Sequence, residues 1–137
     1  MGMFFRVATK FTTRSRTFMV SIIETQIMGQ FTLFKSPKNG EYYFNLKVNN
    51  HEIILQSEGY KAQSGAENGI ESVKINATID ENFERKIAKD DSFYFNLKAA
   101  NGEIIGTSEM YTSKGSVETG IASVKSTAPI AQIIHEN

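Results

Sequence analysis

The chain has 137 residues, a hydrophobic fraction of 40%, and 15 basic against 15 acidic side chains. These values are typical of one globular domain with a hydrophobic core, and a net charge of zero gives no whole-chain field that would attract nucleic acid. The absence of cysteine excludes disulfide bonds, thiolate zinc sites and a cysteine nucleophile.

Residues 1–27 differ from the rest of the chain, because they hold four basic side chains against Glu24 as the single acid. Their apolar run, 18–23, is far shorter than the roughly 20 residues that span a bilayer, and no secretory cleavage site follows it. Two interpretations stay open: a basic organelle-type targeting segment, or a segment that is either a disordered tail or upstream codons read through before a true start at Met28. We favour the second, and we expect a cytoplasmic protein with no membrane association.

From Gln30 onward the chain predicts strands and a helix. Residues 30–35 form the first strand, and the turn at 37–40 has typical turn residues. Residues 42–48 alternate between apolar and polar side chains with a period of two, which indicates a half-buried second strand. A turn at 49–50 leads into a third strand at 53–57.

A helix follows the third strand. Ser64 and Glu67 have the spacing of a capping box, and Ala66, Ile70, Val73 and Ala77 form an apolar stripe at helical spacing. In the second copy of this segment, Gly115 takes the place of Ser64 at the predicted cap.

A glycine also lies beside the apolar stripe of each predicted helix. Gly69, which recurs as Gly120, costs about 1 kcal/mol relative to alanine inside a helix. We therefore predict that another element packs closely against both glycines. Return strands at 82–88 and 131–135 bring the total to seven strands and two helices.

Much of this segment occurs twice at one constant offset. The sequence of 43–47 recurs at 94–98, and Glu67 to Lys74 matches Glu118 to Lys125 at most positions. We divide a single domain, 28–137, into repeats 28–78 and 79–137. The predicted fold class is α+β: two β-β-β-α-β repeats form one mainly antiparallel sheet with two helices on one face. The monomer is thus an internal pseudo-dimer.

The repeated motifs resemble those of the YegP-like family of small bacterial proteins. They are Tyr-Tyr-Phe-x-Leu-Lys at 42–47, Glu-x-Ile at 52–54, Ser-Glu-x-Tyr at 57–60, and Glu-Asn-Gly-Ile-Glu-Ser-Val-Lys at 67–74. The resemblance implies that the two units exchange their last strands within a single sheet. It also implies that His51 replaces a usual turn glycine and that Gly59 replaces a larger residue. The family has no established function and supplies no catalytic residues.

Candidate chemistry is sparse. His51 and His135 lie in a turn and near the end of the chain, and neither has metal-ligand spacing to an acid. We expect no catalytic residue, metal or cofactor. Glu58 and Glu109, each near a tyrosine, could be general acids. The position of the repeated Ser-Glu-x-Tyr motif between strand and helix favours a structural role instead, for Ser57, Glu58, Tyr60, Ser108, Glu109 and Tyr111.

A polar and aromatic triplet is predicted twice on the sheet face that points away from the core. Its candidate surface residues are Tyr43, Asn45, Lys47, Tyr94, Asn96 and Lys98. A protein-interaction module is the leading hypothesis, because tyrosine-rich surfaces of mixed charge suit protein partners. Single-stranded nucleic acid is the second, although the acidic balance after Met28 disfavours it. An enzyme that uses Glu58 or Glu109 is the third.

Overall fold

The computed structural model describes residues 29–48 and 51–136. The basic segment 1–27 and the turn predicted at 49–50 therefore lie outside the described residues. The described elements are β1 (Gln30–Lys35), β2 (Tyr42–Val48), β3 (Glu52–Gln56), α1 (Gln63–Asn76), β4 (Phe83–Ile87), β5 (Phe93–Lys98), β6 (Ile104–Thr107), α2 (Lys114–Thr127) and β7 (Gln132–His135). Short 3-10 turns, Asp80–Asn82 and Ala128–Ile130, precede β4 and β7.

The seven strands form one sheet in the order β4-β5-β6-β3-β2-β1-β7. Every adjacent pair is antiparallel except β1 and β7, which run parallel. The prediction of seven strands and two helices in an α+β fold is confirmed. Strand exchange is also observed, because β4 follows α1 but pairs with the second repeat, while β7 follows α2 but pairs with the first.

A single core lies between the sheet and the two helices. Phe44, Leu46, Phe95 and Leu97 are fully buried, as the period of two in β2 and β5 predicts. The apolar stripes of α1 and α2 belong to the same buried cluster. Because both helices cover this face, the strands present their alternate side chains on the opposite face of the sheet.

The predicted helix starts are wrong by a few residues. Helix α1 begins at Gln63 after Ala62, an N-cap without a side-chain hydrogen bond, so Ser64 is already helical. The N-cap of α2 is Ser113, two residues before Gly115, and its hydroxyl accepts from the Ser116 amide at 3.1 Å. The capping-box pattern misplaced the starts because the N-cap is the last extended residue, and the chain leaves extended geometry at 62 and 113.

The close approach predicted at the helix glycines is confirmed. A Cβ at Gly69 would lie 2.5 Å from the Tyr60 hydroxyl and 3.0 Å from the Phe44 ring. At Gly120 the corresponding distances, to Tyr111 and Phe95, are 2.5 and 3.2 Å. Each helix therefore rests on an aromatic pair that leaves no room for a larger side chain.

The first strands of the two repeats, β1 and β4, can be matched by the residues with which they pair. Leu33 pairs with Phe44 in the β1–β2 register, and Arg85 pairs with Phe95 in the β4–β5 register. Phe31 and Phe83 likewise pack edge-on against Phe44 and Phe95, with ring centroids 5.9 and 5.7 Å apart. Strand β4 is thus the counterpart of β1, and Arg85 occupies the position of Leu33.

Candidate functional site

Strand register aligns polar side chains across the middle of the sheet. Asn45 pairs with Gln56, Gln56 with Thr107, and Thr107 with Asn96, so the four residues form one row over β2, β3, β6 and β5. Strands β2 and β5 run in opposite directions, which places Tyr43 and Lys98 on one side of the row and Lys47 and Tyr94 on the other. We call this row and the two flanking Tyr–Lys pairs the polar face.

In the first triplet of the polar face, Tyr43 is the residue whose side chain is fixed by neighbouring side chains. Its ring stacks on Phe34 at 6.0 Å, and its hydroxyl accepts a hydrogen bond of 3.0 Å from the Asn39 side chain. Asn45 and Lys47 are half-buried, and neither side chain makes a hydrogen bond with another described residue. Among the described residues, their amide and ammonium groups therefore have no side-chain partner that would compete with a ligand.

The second triplet is tied into the protein more tightly. Asn96, only 6% exposed, accepts from the Thr107 hydroxyl at 2.9 Å. Lys98 forms an ion pair of 3.2 Å with Glu84, and Lys98 and then Asn96 hold the pKa of that carboxyl below its ordinary value. The sequence predicts two equal triplets, whereas the structure leaves more free polar groups on the first one.

The serines of the repeated Ser-Glu-x-Tyr motif bond the backbone. Ser57 Oγ accepts from the Phe44 amide at 2.9 Å and donates to the Glu58 carbonyl at 2.8 Å. Ser108 makes the same two bonds in the second repeat, to the Phe95 amide and the Glu109 carbonyl, at 3.0 and 2.8 Å. Each serine hydroxyl therefore takes the place of a backbone carbonyl as the acceptor for an amide of β2 or β5, at the point where β3 or β6 ends.

The tyrosines of the motif bridge the sheet and the helices. Tyr60 stacks on Phe44 at 6.3 Å and Tyr111 stacks on Phe95 at 6.5 Å, both nearly parallel. Burial is the main cause that raises the pKa of both tyrosines, and nearby carboxylates add to it. Both hydroxyls therefore remain neutral at physiological pH.

Glu58 and Glu109, the candidate general acids, are exposed at the ends of the strands. The Gln56 side chain donates to Glu109 at 3.2 Å, which joins this carboxylate to the polar face. Within residues 29–48 and 51–136, no group of three potential metal ligands is found. No helix among these residues is long and apolar enough to cross a membrane.

Two clefts have no counterpart in the sequence analysis, because they depend on contacts between distant elements. One, of about 290 Å³, lies between β4 and the first turns of α2; we call it the β4 cleft. The other, of about 610 Å³, lies between α2 and the β2–β3 hairpin and is lined by Glu52, Tyr111 and several hydroxyl side chains. Neither Glu58 nor Glu109 lines either cleft.

Comparison with known proteins places these repeats in a family. The model of a domain of unknown function, DUF1508, matches twice, at residues 38–84 and 88–134. The chain belongs to this family. Each match covers two strands, a helix and at least part of the strand after it, so β1 lies outside the first match.

Members of the family resemble this chain over most of their length. The protein YegP of Escherichia coli K12 is 49% identical over 109 residues, which are 80% of this chain and 97% of the relative. A protein encoded upstream of the ptx operon in Stutzerimonas stutzeri is 50% identical over 106 residues, 77% of this chain and 95% of the relative. Both belong to a group of uncharacterised proteins.

Solution NMR structures of two relatives have the same fold. The YegP structure from E. coli matches with a TM-score of 0.75 and 45% identity, covering 80% of this chain and 94% of that one. The structure from Shewanella oneidensis matches with a TM-score of 0.74 and 46% identity, covering 79% and 91%. The fold of this chain is therefore the YegP-like fold with its two repeats.

Proposed function

We propose that this protein is a non-enzymatic protein-binding module that binds its partner with the polar face of the sheet. The observation that carries the proposal is the duplication of one Tyr-x-Asn-x-Lys pattern on β2 and β5, on the side of the sheet opposite both helices. Tyrosine contributes rigid contact area with a polar end, and Asn45 and Lys47 offer an amide and an ammonium group that have no hydrogen-bond partner among the described residues.

The charges of this face favour a protein over nucleic acid. Lys98 is already neutralised by Glu84, and Glu109 brings a carboxylate to the edge of the row. Phosphate binding requires several unpaired cations whose counterions are released, so this mixture of acids and bases gives little affinity for a polyanion.

Site-specific photocrosslinking tests the proposal. A photoreactive phenylalanine analogue is placed at position 43, at position 94, or at the control position Glu71, which is exposed on α1. The protein is produced in its native host and irradiated there. We expect the same partner band at positions 43 and 94 but not at position 71, and we expect Asn45→Ala with Lys47→Ala to remove it.

Two outcomes would contradict the proposal. One is crosslinking that is as strong at position 71 as at 43 and 94, and the other is no crosslink at either sheet position. Titration with a single-stranded oligonucleotide at low salt separates the alternative function, because binding that is lost in Tyr43→Ala with Tyr94→Ala would assign the face to nucleic acid.

A further inference from the structure

The outer edges of β1 and β4 differ although the two strands are counterparts. Strand β7 pairs with β1 in parallel, with Ile133 opposite Phe31 and His135 opposite Leu33. In the described part of the chain, no strand pairs with the outer edge of β4. One edge of the sheet thus shows how a strand is added to this repeat, and the described residues leave the corresponding edge open.

Backbone groups of β4 are available for such a strand. The Ala88 amide donates to Ser92, so even-numbered residues of this segment direct their amides and carbonyls to β5. Phe83, Arg85 and Ile87 therefore direct theirs outward, although the Phe83 amide already donates to the Asp80 carbonyl. The Phe83 carbonyl accepts a hydrogen bond of 3.2 Å from the Arg85 guanidinium, which holds the place that a strand amide would take.

The β4 cleft continues this edge and has an apolar floor. Ile87, 61% exposed, lines it together with Phe93 and the buried Val117 of α2. A strand added to β4 in the register of β7 would place alternate side chains on this side of the sheet. The first would lie against Phe83, the second beside Arg85, and the third over Ile87.

Cations dominate the rim of the cleft. Arg85, Lys86 and Lys114 line it, against the single carboxylate of Glu118. Arg85 already contacts Glu118 at 2.9 Å and Lys86 lies 4.0 Å from Glu84, which leaves Lys114 to attract an acidic ligand. An added strand with an acidic side chain at its middle position complements this charge.

From these observations we propose that β4 and its cleft bind an extended acidic peptide segment as an additional parallel strand. The segment has the pattern apolar-x-acidic-x-apolar, in which the last apolar side chain enters the β4 cleft. Backbone hydrogen bonds supply the binding, and the alternate side chains supply the specificity. This surface adjoins the polar face at Tyr94, which also lines the cleft. The failures of the two proposals are distinguishable, because Asn45→Ala with Lys47→Ala tests the polar face and Ile87→Pro tests β4.

The test uses the full chain and the synthetic peptide Gln-Ile-Thr-Glu-Thr-Ile, blocked at both ends, in an NMR titration. We expect shifts of the Arg85 and Ile87 amides, and affinity at least about tenfold higher than for the peptide with Lys in place of Glu. Ile87→Pro removes an outward amide but no bond to β5, and we expect it to abolish binding.

Charge variants complete the test. Lys114→Glu should weaken the binding of the acidic peptide several-fold. Lys61→Glu makes the same charge change outside the cleft and should leave the binding unchanged. The proposal is overturned by equal binding of both peptides, by binding that survives Ile87→Pro, or by no binding at millimolar peptide. It is also overturned if β4 amides shift with protein concentration alone, because a second copy would then occupy the edge.

Discussion

The two outer strands β1 and β4 hold the same place in the repeat but have opposite chemistry. Leu33 of β1 is buried in the core and has β7 as its neighbour in the sheet, whereas its counterpart Arg85 is exposed and contacts Glu118 and Asp80 at 2.9 and 3.3 Å. Lys125 adds a bond of 2.7 Å to Asp80. A strand covers one edge, and a network of charges surrounds the other.

The residues at Leu33 and Arg85 therefore follow the neighbouring strands rather than the repeat. An unprotected strand edge can pair with many other chains, and charged side chains restrict which chains can pair with it. Phe44 and Phe95 are identical because both face the shared core, whereas Leu33 and Arg85 differ because only β1 has a strand on its outer side in the described residues.

Exchanging the two counterparts should have very unequal effects. We expect Leu33→Arg to lower the free energy of unfolding by about 3–5 kcal/mol, because it buries a charge without a partner in the core. Arg85→Leu removes exposed ion pairs and one hydrogen bond to the Phe83 carbonyl, and should cost about 1 kcal/mol. Urea unfolding of both variants measures this, and equal losses would refute the assigned difference between the edges.

Substitution of the two helix glycines should lower the free energy of unfolding by a smaller amount, and by different amounts in the two repeats. Gly69→Ala gains about 1 kcal/mol of helix propensity but forces a methyl group against Tyr60 and Phe44, which costs about 1–3 kcal/mol. We expect net destabilisation of about 1 kcal/mol, and less for Gly120→Ala, because Phe95 lies farther from that position.

A second substitution provides the control for this prediction. The atom nearest to the new methyl group is the Tyr60 hydroxyl oxygen, so Tyr60→Phe should recover part of the loss in Gly69→Ala. Thermal unfolding of the single and double variants tests this coupling. Additive effects would show that the contact does not limit the helix.

Lowering the pH should weaken the ion pairs beside β4, and we expect this to cause the smallest loss of stability. Hydrogen bonds, first from Lys125 and then from Arg85, lower the pKa of Asp80 below 3.8, and Arg85 lowers that of Glu118 below 4.5. These carboxylates therefore stabilise the fold above their unfolded pKa values, and that contribution is lost as the pH falls through the folded ones.

The corresponding measurement is the urea midpoint between pH 6 and pH 3. The advantage of the natural chain over Asp80→Asn with Glu118→Gln should be present at pH 6 and shrink towards pH 3. If the urea midpoints of the two proteins change with pH in parallel, the ion pairs of Asp80 and Glu118 do not contribute to stability.

Local pattern predicted most of the fold. The period of two in 42–48 determined which side of β2 is buried, and β1 and β2 have the bounds that were predicted. The helix stripes were correct because their spacing reflects the core directly. The helix starts were not, since a capping pattern at Ser64 does not show where the preceding extended segment ends.

The candidate sites were less accessible to sequence reasoning. The triplets were found because they repeat, but the bonds of Asn96 and Lys98 to Thr107 and Glu84 depend on strand register, which a single strand does not reveal. The β4 cleft joins residues of β4, β5 and α2, and it exists only once these elements pack. A signal was present in the change from Leu33 to Arg85, but it is visible only when the repeats are aligned through their strand partners.

The parallel pairing of β7 with β1 also sets an order of events during synthesis. Gln30 pairs with Gln132, so the ribosome releases one partner about 100 residues before the other, a delay of roughly 5–20 s at usual elongation rates. During that interval Leu33 has no neighbour on its outer side, and the nascent first repeat exposes a bare apolar edge. Chaperones that recognise such edges would therefore act on the first half of the chain before its second half is complete.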